Sequence, residues 1–327
     1  MKYLITGGAG FIGTNLTQRL LRESKDNYIR IVDDLSVGKR DQLGNVASFI
    51  EPDVFYVSDG EVHLHVDDIK DAELALEVCQ DIDVVIHLAA NTGVPVSVEF
   101  PREDCMGNVI GTLNYLEAAR HNDIKKFIFA STSSVPGEHK PPFHEKLFPR
   151  PISPYGASKG AAEAYCHVYN ATYGVETVSL RFSNVYGPYS TNKKAQLIPK
   201  FIQLAVAGQD WEIYGDGTQT RDFCFVDDLM DAIVLSIKTP GIGGNVFQIA
   251  TNQETSVQKI TDTILDNLSK YGIDKPNIVY GSERPGDPAR NFSDVSKAKK
   301  MLQWQYKTDI EDGIYKTMEW FLGEEIK

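Results

Sequence analysis

The stretch Tyr3-Leu4-Ile5-Thr6-Gly7-Gly8-Ala9-Gly10-Phe11-Ile12-Gly13 joins a short apolar strand to a glycine-rich turn and the start of a helix. Its glycines have the spacing G-x-x-G-x-x-G, which suits a tight strand-to-helix turn whose bare backbone amides face an anion. The stretch therefore predicts an α/β fold with a pyrophosphate at this turn. A glycine-rich turn without a ligand is the alternative.

A carboxylate follows the next predicted strand. Residues 29–32 form that strand, and it ends at Asp33, 20 residues after Gly13. A carboxylate here accepts hydrogen bonds from an adenosine ribose and repels a 2′-phosphate, so we predict NAD as the cofactor. Lys39 and Arg40 are the nearby residues that favour NADP instead.

Apolar strand patterns alternate with helix-length stretches along the first half of the chain. Further buried strands are predicted at residues 62–66, 84–88, 127–130 and 177–182. The fold class is therefore α/β, a Rossmann-type doubly wound parallel sheet with a smaller C-terminal substrate domain. We expect a dinucleotide-binding domain over residues 1–180 and an interleaved substrate domain over 181–327, with residues 225–250 returning to the large sheet.

Composition and charge exclude several classes of protein. The 327 residues carry a formal net charge of -12, which argues against binding to nucleic acid or to an anionic membrane. The four cysteines form no C-x-x-C pair, so neither a disulfide framework nor a thiolate metal site is predicted. No apolar run reaches the roughly 18 residues of a membrane span, and the first strand begins too early for a leader peptide. We expect a cytoplasmic protein with reduced thiols and no metal.

Tyr155 and Lys159 have the i,i+4 spacing that places a phenol and an ammonium on one helix face. A free tyrosine has a pKa of about 10, and a neighbouring cation favours the phenolate and lowers that pKa. The pair therefore predicts a tyrosine that acts as a base. A solvated helix face is the alternative for a pair found alone.

Six motifs in this order resemble the extended short-chain dehydrogenase/reductase family, in its nucleotide-sugar epimerase/dehydratase branch. They are residues 7–13, His87-Leu88-Ala89-Ala90, Asn108-Val109-Ile110-Gly111-Thr112, Ser131-Thr132-Ser133-Ser134, Tyr155-Gly156-Ala157-Ser158-Lys159 and Arg181-Phe182-Ser183-Asn184-Val185-Tyr186-Gly187-Pro188. The resemblance covers essentially the whole chain and is strongest to the UDP-sugar 4-epimerases.

The resemblance implies a set of site residues. Tyr155, Lys159 and Thr132 would be catalytic. The implied NAD contacts are Gly7, Gly10, Phe11, Ile12, Gly13, Asp33, Asp34, Leu35, Ser36, Gly38, Asp68, Ile69, Leu88, Ala89, Ala90, Asn108, Ser131, Tyr155, Lys159 and Phe182. The implied contacts to a UDP-sugar are Thr132, Ser133, Tyr155, Asn184, Leu197, Tyr214, Arg221, Arg284 and Asp287, with the two arginines on the diphosphate and Asp287 on the ribose.

Ser133 and Ser134 discriminate among the chemistries of this family. The dehydratases it resembles carry Asp-Glu at these positions and the decarboxylases Ser-Glu, whereas this chain has no acid there. The resemblance thus implies epimerisation at C4 of a UDP-sugar through a 4-keto intermediate. A dehydratase, decarboxylase, reductase or epimerase acting at another carbon stays open, as does a non-catalytic NAD-binding regulator. Pro136 and Asn291 leave the identity of the sugar open.

The family resemblance also implies a homodimer. Its interface would be a four-helix bundle made by the helices near residues 104–120 and 155–173 and their copies. Both segments carry small or apolar residues beyond one buried face, namely Leu113, Leu116, Ala161, Ala164, Tyr165 and Val168.

Overall fold

The computed structural model describes residues 1–190, 196–282 and 289–325. Its strands are β1 (Lys2–Thr6), β2 (Tyr28–Asp33), β3 (Val62–Val66), β4 (Val84–His87), β5 (Lys126–Thr132), β6 (Thr177–Phe182), β7 (Asn184–Tyr186), β8 (Trp211–Tyr214), β9 (Thr220–Arg221), β10 (Phe223–Phe225), β11 (Asn245–Ile249), β12 (Thr255–Ser256), β13 (Ile278–Gly281) and β14 (Arg290–Asn291).

Helices connect most of these strands. They are α1 (Phe11–Glu23), α2 (Arg40–Gly44), α3 (Ala72–Val78), α4 (Val94–Glu99), α5 (Pro101–Cys105), α6 (Gly111–His121), α7 (Pro154–Tyr173), α8 (Leu197–Val206), α9 (Val226–Lys238), α10 (Val257–Leu268), α11 (Ser296–Leu302) and α12 (Ile310–Glu325). A π-helical turn, Met106–Ile110, joins α5 to α6, and a 3₁₀ turn, Ser269–Tyr271, follows α10.

One seven-stranded parallel sheet organises the molecule. Its strand order is β11-β6-β5-β4-β1-β2-β3, and every adjacent pair is parallel. The chain winds outward from β1 through β2 and β3, then crosses to β4 and winds the other way. The predicted doubly wound sheet is confirmed, and its direction reverses between β1 and β4, where such sheets bind ligands.

Apolar residues cover both faces of this sheet. Leu16 of α1 and Ile233 of α9 belong to the core on one face, while Tyr115 of α6 and Cys166 of α7 belong to the core on the other. All four are at most 2% exposed. Because both faces are covered, strands β2, β4, β5 and β6 are buried over their whole length.

The sheet takes its last strand from the C-terminal half. β11 pairs with β6, and β9 forms a small separate sheet with β12 and β14. Two charged side chains bind backbone polar groups on the outer edge of β11. Glu145 accepts a hydrogen bond from the Gln248 amide (2.8 Å), and Lys297 donates one to the Val246 carbonyl (2.8 Å). Charged side chains of this kind prevent an edge strand from pairing with another chain. The division into two domains at residue 180 stays a prediction.

Some boundaries differ from those predicted. β5 continues past residue 130 to Thr132, because Ser131 and Thr132 still pair with Arg181 and Phe182 of β6. The helix expected from residue 104 begins earlier, because residue 104 lies within α5, which starts at Pro101. Within the described ranges, no helix is both long enough and apolar enough to cross a membrane.

Candidate active site

The glycine-rich turn leaves no room for side chains. Gly7 has φ +68°, and a Cβ added there would lie 2.8 Å from the Ala89 amide nitrogen at the end of β4. A Cβ on Gly13 would lie 2.4 Å from Gly8 Cα. Gly10 is the N-cap of α1, so the first amides of this helix are open toward an anion at the switch point of the sheet. The turn therefore fits a pyrophosphate.

Asp33 lies at the carboxyl end of β2, 7% exposed, and faces this turn. Its carboxylate accepts hydrogen bonds from the amides of Ala9 (3.0 Å) and Leu35 (2.9 Å). Burial raises the pKa of Asp33, and these amide hydrogen bonds oppose the rise. Arg40, which favoured NADP, instead pairs bidentately with Glu51 at 2.7 and 2.9 Å. The arrangement fits the ribose of NAD.

The predicted catalytic residues meet where β5 ends and α7 begins. Ser153 caps α7 by accepting a hydrogen bond from the Gly156 amide (3.1 Å), which fixes the first turn that carries Tyr155. The Thr132 hydroxyl interacts with the Tyr155 phenol and lowers its pKa. Lys159, 2% exposed, lies one turn further along, with its ammonium 4.5 Å from the centre of the Phe129 ring.

The electrostatics of Tyr155 differ from the expectation. Burial raises the pKa of Tyr155 to about 12, the hydrogen bond with Thr132 opposes this rise, and Asp104 adds to it. The expected lowering of this pKa by Lys159 is therefore wrong for the protein alone, because burial of the phenol dominates it. The buried His87 imidazole adds no positive charge nearby, since burial lowers its pKa to about 3.

Ser131, predicted to contact NAD, turns its hydroxyl away from the cleft. It donates a hydrogen bond to Glu163 of α7 (2.5 Å), and Glu163 is also paired with Arg181 of β6 at 2.8 and 2.7 Å. The Ser131 hydroxyl hydrogen is therefore already used within the protein. Sequence reasoning missed Glu163, although its position four residues after Lys159 puts it on the same helix face.

Asn108, another predicted NAD contact, lies in the π-helical turn and holds the loop after β4. Its side-chain oxygen accepts a hydrogen bond from the Asn91 amide (2.8 Å). Its amide nitrogen lies 3.0 Å from Asp104 Oδ1 and 3.1 Å from both Ser158 Oγ and the Asn91 carbonyl oxygen. Asn108 therefore orders the wall of the cleft rather than offering its side chain freely to a ligand.

The other predicted NAD residues also lie at carboxyl ends of strands or at the start of α1. They are Phe11 and Ile12 in α1, Asp34, Leu35, Ser36 and Gly38 after β2, Asp68 and Ile69 after β3, Leu88, Ala89 and Ala90 after β4, and Phe182 at the end of β6. No cluster of His, Cys, Asp and Glu side chains within the described ranges is arranged to hold a metal ion.

Asp222 organises the predicted substrate residues of the second half, and sequence reasoning missed it. Its backbone carbonyl accepts hydrogen bonds from both the amide and the side chain of Asn184 (3.0 Å each). Its carboxylate, in a residue 1% exposed, accepts hydrogen bonds from Thr251 (2.7 Å), Asn252 (3.0 Å) and Ser293 (3.3 Å). This network fixes the strand that ends in Arg221.

The remaining predicted substrate residues are placed as follows. Ser133 is 9% exposed directly after β5, Leu197 begins α8 and Tyr214 ends β8. Arg221 ends β9 and pairs with Asn291 of β14. Arg284 and Asp287 lie outside the described residues.

Residues 3–250 match the NAD dependent epimerase/dehydratase family. The chain is 36% identical to a putative UDP-glucose 4-epimerase of Methanocaldococcus jannaschii, over 97% of both chains. The crystal structure of UDP-glucose 4-epimerase from Thermotoga maritima with UDP-glucose superposes with a TM-score of 0.87 at 32% identity, over 100% of both chains. UDP-glucuronic acid 4-epimerase from Bacillus cereus, in complex with UDP-glucuronic acid and NAD, has a TM-score of 0.85 at 31% identity, over 99% of this chain and 100% of that one.

Proposed function

Because this chain belongs to the NAD dependent epimerase/dehydratase family, we propose that it interconverts the C4 epimers of a UDP-sugar through a transient 4-keto sugar. One observation carries the choice of reaction. Thr132, which interacts with the Tyr155 phenol, is followed by Ser133 and Ser134, which supply hydroxyls and no carboxylic acid. Dehydration needs an acid for a leaving hydroxyl, whereas epimerisation needs only one group that takes a proton and returns it.

The chain's own residues then have defined tasks. Tyr155 takes the proton from the sugar O4 and gives it back after the keto sugar has turned over in the site. Thr132 stabilises the charge that develops on the reacting oxygen. Lys159 favours the phenolate and holds the nicotinamide ribose. Gly7, Gly10, Gly13 and Asp33 would hold NAD, which would supply a reversible hydride acceptor for C4 and so would not be consumed.

The UDP moiety would be held by the C-terminal half. Asn184, Leu197, Tyr214 and Arg221 are the described residues for this task, and Arg284 and Asp287 complete the predicted set. The register of β9 and β14 puts Asn291 beside Arg221, which supports a role for Asn291 in the choice of sugar. UDP-glucose, UDP-N-acetylglucosamine and UDP-glucuronate are the candidate substrates.

The protein would act as a cytoplasmic homodimer. On α7, Ala161, Ala164, Tyr165 and Val168 are exposed, which supports an interface on this helix. Leu116 is an exception to the predicted set, because it is fully buried in the core of its own chain. A two-fold interface would place this face of α7 against the same face of the second copy.

NMR of product mixtures tests the proposed reaction. We expect the purified protein to form the C4 epimer of at least one of the three UDP-sugars without added NAD. The proposal is wrong if none gives a C4 epimer, if a 4-keto-6-deoxy sugar accumulates, or if turnover consumes NADH stoichiometrically. NAD binding without any turnover would favour the regulatory alternative.

A further inference from the structure

Asp104 is a buried carboxylate beside the catalytic helix. It is 3% exposed, and its Oδ1 accepts a hydrogen bond from the Asn108 side chain (3.0 Å). The Ser158 hydroxyl donates a hydrogen bond to the Tyr155 carbonyl oxygen (3.1 Å) and lies 3.1 Å from the same Asn108 nitrogen, and it interacts with the Asp104 carboxylate. Asp104 Oδ2 makes no hydrogen bond to the part of the chain that the structure describes. A carboxylate left half satisfied at this depth is costly unless a charge or water compensates for it.

A cavity of about 210 Å³ lies between the loop after β4, α4 and α5, with Asp104 in its wall. Asn91 and Ser97 add polar groups to the wall, and Glu103 and Phe100 lie toward its exposed side. The volume is large enough to hold water molecules beside the Asp104 carboxylate.

Few charged groups face this carboxylate and the phenol. From α7 the cation is Lys159, which interacts with Asp104 electrostatically. From β4 the titratable group is His87, held neutral by burial, which lowers its pKa to about 3. Glu163 is paired with Arg181. Of the charged residues on α5, Arg102 and Glu103 are exposed, so water screens them.

We propose that Asp104 is a positioning residue of the Tyr155 and Lys159 pair: its buried carboxylate balances the charge of Lys159 and, through Ser158, holds the first turns of α7 against α5. This role rests on the proposed function, in which Tyr155 must both take and return a proton. A phenolate surrounded only by positive charge would be a weak base for the first step. The negative charge of Asp104 keeps the phenolate basic enough to take the proton from the sugar O4.

Asp104→Asn tests this role with a nearly isosteric change. The asparagine oxygen still accepts from Asn108, and its new amide replaces Oδ2, the oxygen without a hydrogen bond to the described residues. Removing the negative charge favours the phenolate, so we expect the pKa of Tyr155 to fall by about half a unit or more. The matched control is Glu103→Gln, which removes the same charge from the adjacent exposed residue and should shift this pKa by less than about 0.2 units.

The readout is ¹³C NMR titration of the NAD-bound protein labelled at the tyrosine ζ carbon, with the Tyr155 signal assigned by its loss in Tyr155→Phe. Asp104→Glu keeps the charge and should restore the wild-type titration. Should Asp104→Asn fail to fold, Asp104→Ser removes the same charge and must give the same downward shift. An unchanged titration in the foldable neutral variant, or an equal shift in Glu103→Gln, overturns the proposal.

The pH profile of kcat/KM gives a second readout for the active enzyme. Its acid limb should move to lower pH in Asp104→Asn by the same amount as the NMR titration. The titration itself needs no turnover. If the protein forms no C4 epimer but Asp104→Asn lowers the pKa of Tyr155, the proposed reaction is refuted and the role of Asp104 is not. If the protein forms a C4 epimer but this pKa does not change, the role of Asp104 is refuted and the reaction is not.

Discussion

Replacing Glu163 by glutamine should be the most destabilising single change among those considered, because it leaves a buried guanidinium without its charge partner. Glu163 accepts hydrogen bonds from Ser131 Oγ and from two nitrogens of Arg181. The side chains of Arg181 and Glu163 are only 4% and 7% exposed. Breaking a buried pair of this kind costs about 3–5 kcal/mol of unfolding free energy.

The exposed pair Arg150–Glu138 provides the matched control. Its atoms are 3.0 Å apart, but the two side chains are 58% and 70% exposed. Glu138→Gln should therefore change the unfolding free energy little, since water and salt screen exposed pairs. The measurement is equilibrium urea unfolding followed by circular dichroism, with the midpoint compared among wild type and variants.

A double variant separates the charge from the packing. Glu163→Met with Arg181→Met removes both charges and keeps similar volume, so it should recover most of the stability that Glu163→Gln loses. The reasoning is refuted if Glu163→Gln costs less than about 1 kcal/mol, or if the double variant is less stable than the single one.

Tyr155→Phe should lower turnover by roughly 10²-fold or more while leaving NAD content and melting temperature unchanged; near-normal turnover would mean that the phenol is not the base. Lys159→Met should lower both turnover and retained NAD, measured by absorbance after denaturation, and full retention would exclude the ribose contact. Gly13→Ala adds a Cβ that would lie 2.4 Å from Gly8 Cα, so NAD content should fall sharply; a holoprotein of normal content would show that the turn can relax. Val168→Asp should convert a dimer to a monomer in light scattering, whereas a monomeric wild type at micromolar concentration would remove the proposed interface.

Local sequence patterns predicted the parts of the site that depend on neighbouring residues. The glycine turn and Asp33 are set by a strand, a turn and a second strand within the first 33 residues, so spacing and apolar runs suffice to find them. Tyr155 and Lys159 are one helical turn apart, so their shared face follows from helix geometry.

Other features of the site depend on hydrogen-bond partners that are distant in sequence, or on how deeply a side chain is buried. Asp222 acts through Thr251 and Ser293, which no local pattern links to it. In the sequence, Asp104 resembles an ordinary acidic residue at the exposed start of a helix, and only the packing of the folded chain buries it. The high pKa of Tyr155 has the same origin, because burial rather than the nearby lysine dominates it. Sequence patterns indicate which side chains share a face and how far apart they lie along the chain, but they do not indicate how deeply packing buries them.

The loop that links Thr132 to Tyr155 is fastened to the far end of the chain. Phe143 exchanges backbone hydrogen bonds with Phe292 and Asp294 (2.8 Å each), and Glu145 of the same loop binds the edge strand β11. During synthesis, a nascent chain that has emerged only through α9 already contains the glycine turn, Thr132 and Tyr155. It lacks the residues that bind Phe143 and Glu145 in the loop between Thr132 and Tyr155. The N-terminal part of the sheet, with the glycine-rich turn, can therefore form early. The position of the loop between Thr132 and Tyr155 depends on long-range contacts, which form slowly. A chain interrupted before β11 would resemble a cofactor-binding fragment and not an enzyme.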